Sequence, residues 1–140
     1  MDSRPFPNNP AAYGDKGAVT TTFHSAAARA GLEALQQGGT SVDAALTASM
    51  AQVTLNAGAV VSFFGIMSMI HYDAATGKIV SLDATWNTVK GETEPMTIPG
   101  GIADTNEGMY APRTVSGRTA LVGGFMKGVE AAHQRYGKLP

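Results

Sequence analysis

The stretch from His24 to Ala45, HSAAARAGLEALQQGGTSVDAA, constrains this chain more than any other part of it. Ala, Leu, Glu, Gln and Arg dominate from Ala26 to Gln37, and all are strong helix formers. Ala28, Leu32 and Leu35 recur at helical spacing and give the helix one apolar face. That face carries little bulk, because Gly31 and several Ala residues lie along it, so the helix can pack close to a sheet or a second helix. Gly38 and Gly39 stop it, since Gly enters the left-handed region without a Cβ clash. Thr40 and Asp43 then fit a capping box, with Asp43 in place of the usual Glu. Val42, Leu46, Met50 and Val53 mark one face of the helix that follows. A connection this short predicts that the two helices are neighbours, as an αα-hairpin.

The remaining elements are shorter. Residues 1–16, with three Pro before Ala11, read as an irregular arm, and residues 17–140 as a single, incomplete domain. Ala18 to Phe23, AVTTTF, reads as a strand because β-branched residues dominate it. Helices are expected at 25–37 and 41–55. Residues 66–72 and 78–82 flank the turn DAATG and predict a β-hairpin in which Gly77 supplies a positive φ. Residues 88–117, with Gly100, Gly101 and three Pro, show no period and read as a long loop. A last helix is expected from Gly124 to Tyr136, with Val129, Ala132, His133 and Tyr136 on one face and Gly137 as its stop. The order strand, two helices, hairpin, loop, helix implies an α+β fold with helices packed on a mostly antiparallel sheet.

Composition narrows the function classes. The 140 residues are 44% hydrophobic and 15% charged, with a net charge of −1, so there is no electrostatic footprint for nucleic acid and no basic run for a membrane surface. The longest apolar stretch, Ala57 to Ile70, is broken by Gly58, Ser62, Gly65 and Ser68, too short and interrupted for a membrane span. MDSRPFPNNP at the start has no apolar core of a signal peptide, which favours a cytoplasmic setting, or a periplasmic one if a leader has been removed. The absence of Cys removes disulfides, a thiolate nucleophile and Cys-based metal sites.

With these elements in place, the chain resembles the gamma-glutamyltranspeptidase family, in the N-terminal part of its large subunit. GAVTTTFHSAAARAGLEALQQGGTSVDAALTASMA is similar to the family's strand, its helix ending in Gly-Gly, and its (Asn/Thr)-x-Val-Asp-Ala-Ala helix start. MSMIHYDAATGKIVSLD resembles the family's Tyr-Asp-x-x-Thr-Gly-Lys hairpin with a following Leu-Asp. GFMKGVEAAHQRYGKLP resembles its last helix with Tyr-Gly-Lys-Leu-Pro. The motifs occur in family order across most of residues 17–140. The resemblance implies part of a four-layer αββα N-terminal nucleophile hydrolase fold. It also implies a heteromer in which a downstream or separate small subunit supplies an N-terminal Thr nucleophile, with its own α-amine as base, acting on a small amide. No catalytic residue falls on this chain, and the reading requires no cofactor, metal, nucleic acid or membrane.

Two segments depart from the family pattern. After Leu82-Asp83 the family continues Gly-Arg-Glu-Thr-Ala-Pro, its Arg holding the glutamyl α-carboxylate, whereas here Thr85 stands at the Arg position, followed by Trp86 and Asn87. A hydroxyl does not replace a bidentate guanidinium. Thr85, Trp86 and Asn87 are therefore the candidate substrate-binding residues, for a different acyl group; the bland alternative is a core aromatic and turn residues. Upstream, the family's Pro-His-Ser-Ser-Gly-x-Gly-Gly becomes the more apolar LNAGAVVSFFG, which reads equally as a rebuilt pocket wall or as a core strand. An amidase of the cephalosporin-acylase or oxamate-hydrolase kind, and a non-catalytic binding or assembly module, are the competing functions. Elsewhere the residues read as structural. Thr20, Thr21 and Thr22 are strand residues. His24, His71 and His133 lie far apart without metal-ligand spacing. Arg113 and Arg118 are solvated loop charges, with an acidic substrate as the alternative. Neither Gly100-Gly101 nor Gly123-Gly124 matches a phosphate-binding loop.

Overall fold

The computed structural model describes residues 11–57, 61–98 and 117–140. Its elements are β1 (Ala11–Gly14), β2 (Gly17–Thr20), α1 (Ser25–Gln36), α2 (Ser41–Leu55), β3 (Met67–Asp73), β4 (Lys78–Ala84) and α3 (Phe125–Tyr136), with short 3₁₀ turns at Pro95–Thr97 and Gly117–Thr119. The helices and the hairpin stand where local pattern places them. The N-terminal region differs: residues 11–14, expected within an irregular arm, form β1 and pair antiparallel with β2, Ala12 opposite Val19. The strand expected over Ala18–Phe23 is shorter, because the chain bends after Thr20 to enter α1. Residues 1–10 of the expected arm lie outside the described residues. Among the described residues the strands make two separate two-stranded antiparallel sheets, rather than one continuous sheet.

The first packing unit sets α1 on α2 and on the β1–β2 ribbon. Ala28 and Leu32 bury against Ala12, with Val19 and Leu35 packed alongside. Gly31 is buried, and a Cβ there would lie 2.8 Å from the Ala44 carbonyl oxygen, 2.9 Å from Val19 Cγ1 and 3.1 Å from the Ala48 methyl. The small-residue face of α1 therefore permits a backbone approach that any larger side chain would block. The stop works as its residues suggest: Gly38 takes φ +89° and Gly39 donates its N–H to the Ala34 carbonyl.

In the second unit α3 and α2 pack on the β3–β4 hairpin. Met67, Met69 and Leu82 face Val42, Leu46 and Ala132, with Val129 and Tyr136 at the margin. His71, on the same sheet face, lies 4.7 Å ring to ring from Tyr136. The pairs Ile70↔Ser81 and Tyr72↔Ile79 point to the opposite face, where Ile70, Tyr72 and Ile79 are 80%, 61% and 71% exposed. The turn follows its chemistry, with Asp73 accepting from the Ala75 N–H and the Thr76 hydroxyl, and Gly77 at φ +69°. On α2, Val42, Leu46 and Val53 are buried, while Met50 sits at the edge of the face, 36% exposed.

One buried carboxylate joins the second helix to the end of the third. Asp43 Oδ2 accepts from the Thr40 N–H at 2.7 Å, and the Asp43 N–H donates to the Thr40 hydroxyl at 3.2 Å, which completes the capping box. The same carboxylate accepts the Lys138 N–H at 3.2 and 3.0 Å. The Thr40 hydroxyl lies 2.9 Å from the Tyr136 carbonyl oxygen. His133 Nε2 sits 2.8 Å from the Leu139 carbonyl oxygen and 3.8 Å from Asp43 Oδ1. Burial pushes the Asp43 pKa up, but the N–H groups of Thr40, Lys138 and Leu139 and the Thr40 hydroxyl outweigh it and hold the group below its ordinary value. A pKa lower in the folded than in the unfolded chain stabilises the fold above the unfolded value, and that contribution is lost as pH falls through the folded one. Asp43→Ala is expected to lower the unfolding free energy by about 2–4 kcal/mol in urea titration, a lost cap plus buried donors left without an acceptor. Asp43→Asn is expected to flatten the acid limb, losing less stability than the parent as pH falls through and below the ordinary Asp value of 3.8.

Candidate functional site

The three residues after β4 meet two other segments at a tight backbone crossing. The Asn87 N–H donates to the Val122 carbonyl at 2.9 Å, and the Val122 N–H returns a bond to the Asn87 carbonyl at 2.8 Å. Immediately afterwards the chain passes Gly123 and Gly124 between two backbone walls. A Cβ on Gly123 would collide with the Phe64 carbonyl group, and one on Gly124 with the Ala84 carbonyl group. The Phe125 N–H then donates to the Gly65 carbonyl at 3.0 Å as α3 begins. The Gly-Gly pair thus serves close backbone contact, and the crossing fixes the end of β4, the 61–66 segment and the start of α3 against one another. Gly124→Ala is expected to cost about 3 kcal/mol or more by overpacking, read as a drop in the thermal midpoint.

Beside the crossing lies a cleft of about 490 Å³. Val53 and Phe125, both buried, line its depth, and Val61, Phe64, Ile66 and Trp86 line its sides; Ser49, Gln52 and Ser62 bring polar atoms. Phe63 packs on Phe125 with ring centroids 6.2 Å apart. Trp86 is 54% exposed and Phe64 85% exposed. The more apolar LNAGAVVSFFG segment thus supplies one side of this cleft from Val61, Phe64 and Gly65, and forms no strand over residues 61–65. Of the three sequence candidates only Trp86 lines the cleft. Thr85 is exposed at the crossing, and Asn87 is spent on the bridge to Val122, its side chain accepting from the Thr88 N–H at 3.0 Å. Gly58 and Arg113 lie outside the described residues.

The other candidates resolve into structural roles. His24 caps α1 by position, and its Nε2 lies 3.2 Å from Asn56 Oδ1, tying the start of α1 to the end of α2. The Thr21 hydroxyl donates to the His24 carbonyl at 2.8 Å. Arg118, read from sequence as a solvated charge, is 41% exposed along its side chain and also binds Glu92 in a two-point fork at 2.7 and 3.0 Å, and donates to the Glu94 carbonyl and the Thr97 hydroxyl. Nothing local in the sequence marks this pair, whose members stand 26 positions apart. The Arg118 hydrogen bonds are the largest cause holding the Glu92 carboxyl down at about 2. Arg118→Ala is expected to return the Glu92 pKa toward its ordinary 4.5, followed by carboxyl carbon NMR titration. Arg118→Lys restores only part of the shift, because an ammonium cannot reproduce the fork.

Helices laid over antiparallel ribbons, with one ribbon face still open, define a piece of a larger layered α+β protein. The gamma-glutamyltranspeptidase family model matches residues 27–140, and the chain belongs to that family. It is similar to the gamma-glutamyltranspeptidase from Pseudomonas nitroreducens solved with L-DON, at 30% identity and a TM-score of 0.63 over 91% of this chain and 36% of that one. It shares its fold with the Helicobacter pylori gamma-glutamyltranspeptidase, at 23% identity and a TM-score of 0.64 over 91% of this chain and 35% of that one. It likewise shares the fold of the Bacillus anthracis transpeptidase CapD, at 24% identity and a TM-score of 0.55 over 92% and 34%. The chain therefore spans about a third of the length of these structures and is a fragment of their fold.

Proposed function

We propose that this chain is the N-terminal portion of the large subunit of a gamma-glutamyltranspeptidase-like amidohydrolase or acyltransferase, whose nucleophilic Thr comes from a downstream or separate small subunit. The observation that carries the reading is the family match over residues 27–140, joined to an α+β layer with an uncovered apolar sheet face. A two-stranded hairpin is marginal in water without cover on its apolar faces, so Ile70, Tyr72 and Ile79 fit a surface that the remainder of the protein covers. In this reading the small-subunit Thr hydroxyl attacks the substrate amide carbonyl and its proton passes to the Thr α-amine. The tetrahedral intermediate expels the amine, which takes up that proton, and the acyl-enzyme is released to water or to an acceptor amine.

Of Thr85, Trp86 and Asn87, Trp86 is assigned to the acyl-group subsite, with Thr85 and Asn87 as its neighbours in the chain that hold it beside the crossing. Thr85 in place of the family's Arg favours a non-glutamyl acyl group over a γ-glutamyl one, because a desolvated carboxylate requires a cationic partner. The test is intact-mass measurement on the isolated complex together with turnover of γ-glutamyl-p-nitroanilide. The expected result is a second chain beginning with Thr, and hydrolysis of that anilide at less than about one-hundredth of the rate for the best amide found, a gap of about 2.7 kcal/mol in transition-state binding. A preparation that contains only this chain and hydrolyses no amide would instead make it a non-catalytic assembly module.

A further inference from the structure

We propose that the cleft beside Trp86 binds an uncharged, apolar acyl group, of the arylacetyl or branched-aliphatic kind, and that this chain thereby selects N-acyl amides without an amino-acid head. The inference rests on the hydrolase reading above and names its substrate class.

Three observations on the cleft lead there. First, its volume of about 490 Å³ falls in the range of sites that enclose small organic ligands. Second, among the described residues that line it, no side chain carries a charge. Its polar members are Ser49, Gln52 and Ser62, of which Gln52 Oε1 already accepts from the Phe23 N–H at 3.3 Å and the Ser62 hydroxyl oxygen accepts from the Phe64 N–H at 3.2 Å. A carboxylate or ammonium placed there would lose its hydration without gaining a counter-charge. Third, the nearest sequence position at which a guanidinium would be expected is Thr85, and Arg118 is committed to Glu92, Glu94 and Thr97.

The geometry suits a flat or branched apolar group. Trp86 and Phe64 present large exposed rings on the sides, and Val53 and Phe125 close the depth. Aromatic faces favour offset or edge-on contact with an entering ring, and each apolar surface removed from water contributes to binding. The Gly123–Gly124 crossing holds Phe125 and the end of β4 in fixed relation, so the two sides of the cleft do not depend on the ligand for their position. Ser49 and Gln52 on α2 and Ser62 on the 61–66 segment supply the cleft's polar groups, which suit the amide end of such a substrate more than its tail.

Trp86 is the single Trp of this chain, which makes it a direct reporter. The protein is isolated with whatever chain accompanies it, labelled with 5-fluorotryptophan, and the Trp86 fluorine resonance is assigned by its loss in Trp86→Phe. Phenylacetamide is expected to shift that resonance saturably, while L-glutamine at tenfold higher concentration leaves it in place. Phe64→Ala, at an exposed position that is safe for folding, is expected to weaken phenylacetamide about tenfold. No shift with phenylacetamide, or an equal shift with L-glutamine, overturns the proposal; the first result would mean that other protein fills the cleft. Turnover of phenylacetyl-p-nitroanilide and γ-glutamyl-p-nitroanilide by the same preparation separates the two readings. A Trp86 shift with neither anilide hydrolysed removes the hydrolase and keeps the cleft. Turnover of the γ-glutamyl anilide with Trp86 silent to phenylacetamide removes the cleft and keeps the hydrolase.

Discussion

The Asp43 carboxylate is the interaction on which the arrangement of α2 and α3 depends. It caps α2 through the Thr40 N–H, and it also accepts the Lys138 N–H beyond the end of α3. A carboxylate that is 4% exposed and has four or more donors around it holds those donors in place, because each would otherwise be buried without an acceptor. The start of α2 and the tail of α3 are thereby joined at one point. From it, α3 runs back along the inner face of the β3–β4 hairpin to the crossing at Gly123–Gly124. The position of the cleft follows from these two anchors, one at each end of α3.

The core between the anchors is made largely of small residues. Ala27, Ala28, Ala34, Ala44, Ala48 and Ala132 are all buried, and among the described residues none of the larger side chains is completely so. Such a core permits close helix approach, as at Gly31, but each Ala removes little apolar area from water. Outside the cleft, the larger apolar side chains lie mostly at the surface of this fragment: Ile70, Tyr72 and Ile79 on the hairpin, and Leu121 and Val122 beside the crossing. That distribution is what a layer of a larger fold looks like when its neighbours are absent, and it agrees with a chain about a third as long as the structures it matches.

Much of the fold was legible from local sequence. The αα-hairpin, the capping box at Thr40 and Asp43, the Gly38-Gly39 stop and the DAATG turn each depend on residues a few positions apart, and the structure reproduces them. Strand β1 was missed because AAYG carries no alternation and follows a Pro-rich run; it exists through pairing with β2 and cover from α1. At the candidate site, Trp86 was legible as a departure at a known motif position. The neighbours that turn it into a cleft wall, Val53, Phe64 and Phe125, were not, because they come from α2, the 61–66 segment and α3. The partner of Arg118 was not legible for the same reason: Glu92 is remote in sequence and close only in space.

The sequence by itself determined the elements, their order, their caps and the family to which they belong. Helical period, glycine stops and turn residues act within a few positions, where backbone sterics and local hydrogen bonds decide the outcome. Only the tertiary structure decided which elements share a core and what surrounds Trp86. It set the Asp43–Lys138 tie, the Glu92–Arg118 fork and the passage of Gly123 and Gly124 between two backbone walls. Those contacts join residues tens of positions apart, and close packing and the pairing of buried polar groups select them only once the whole chain has collapsed.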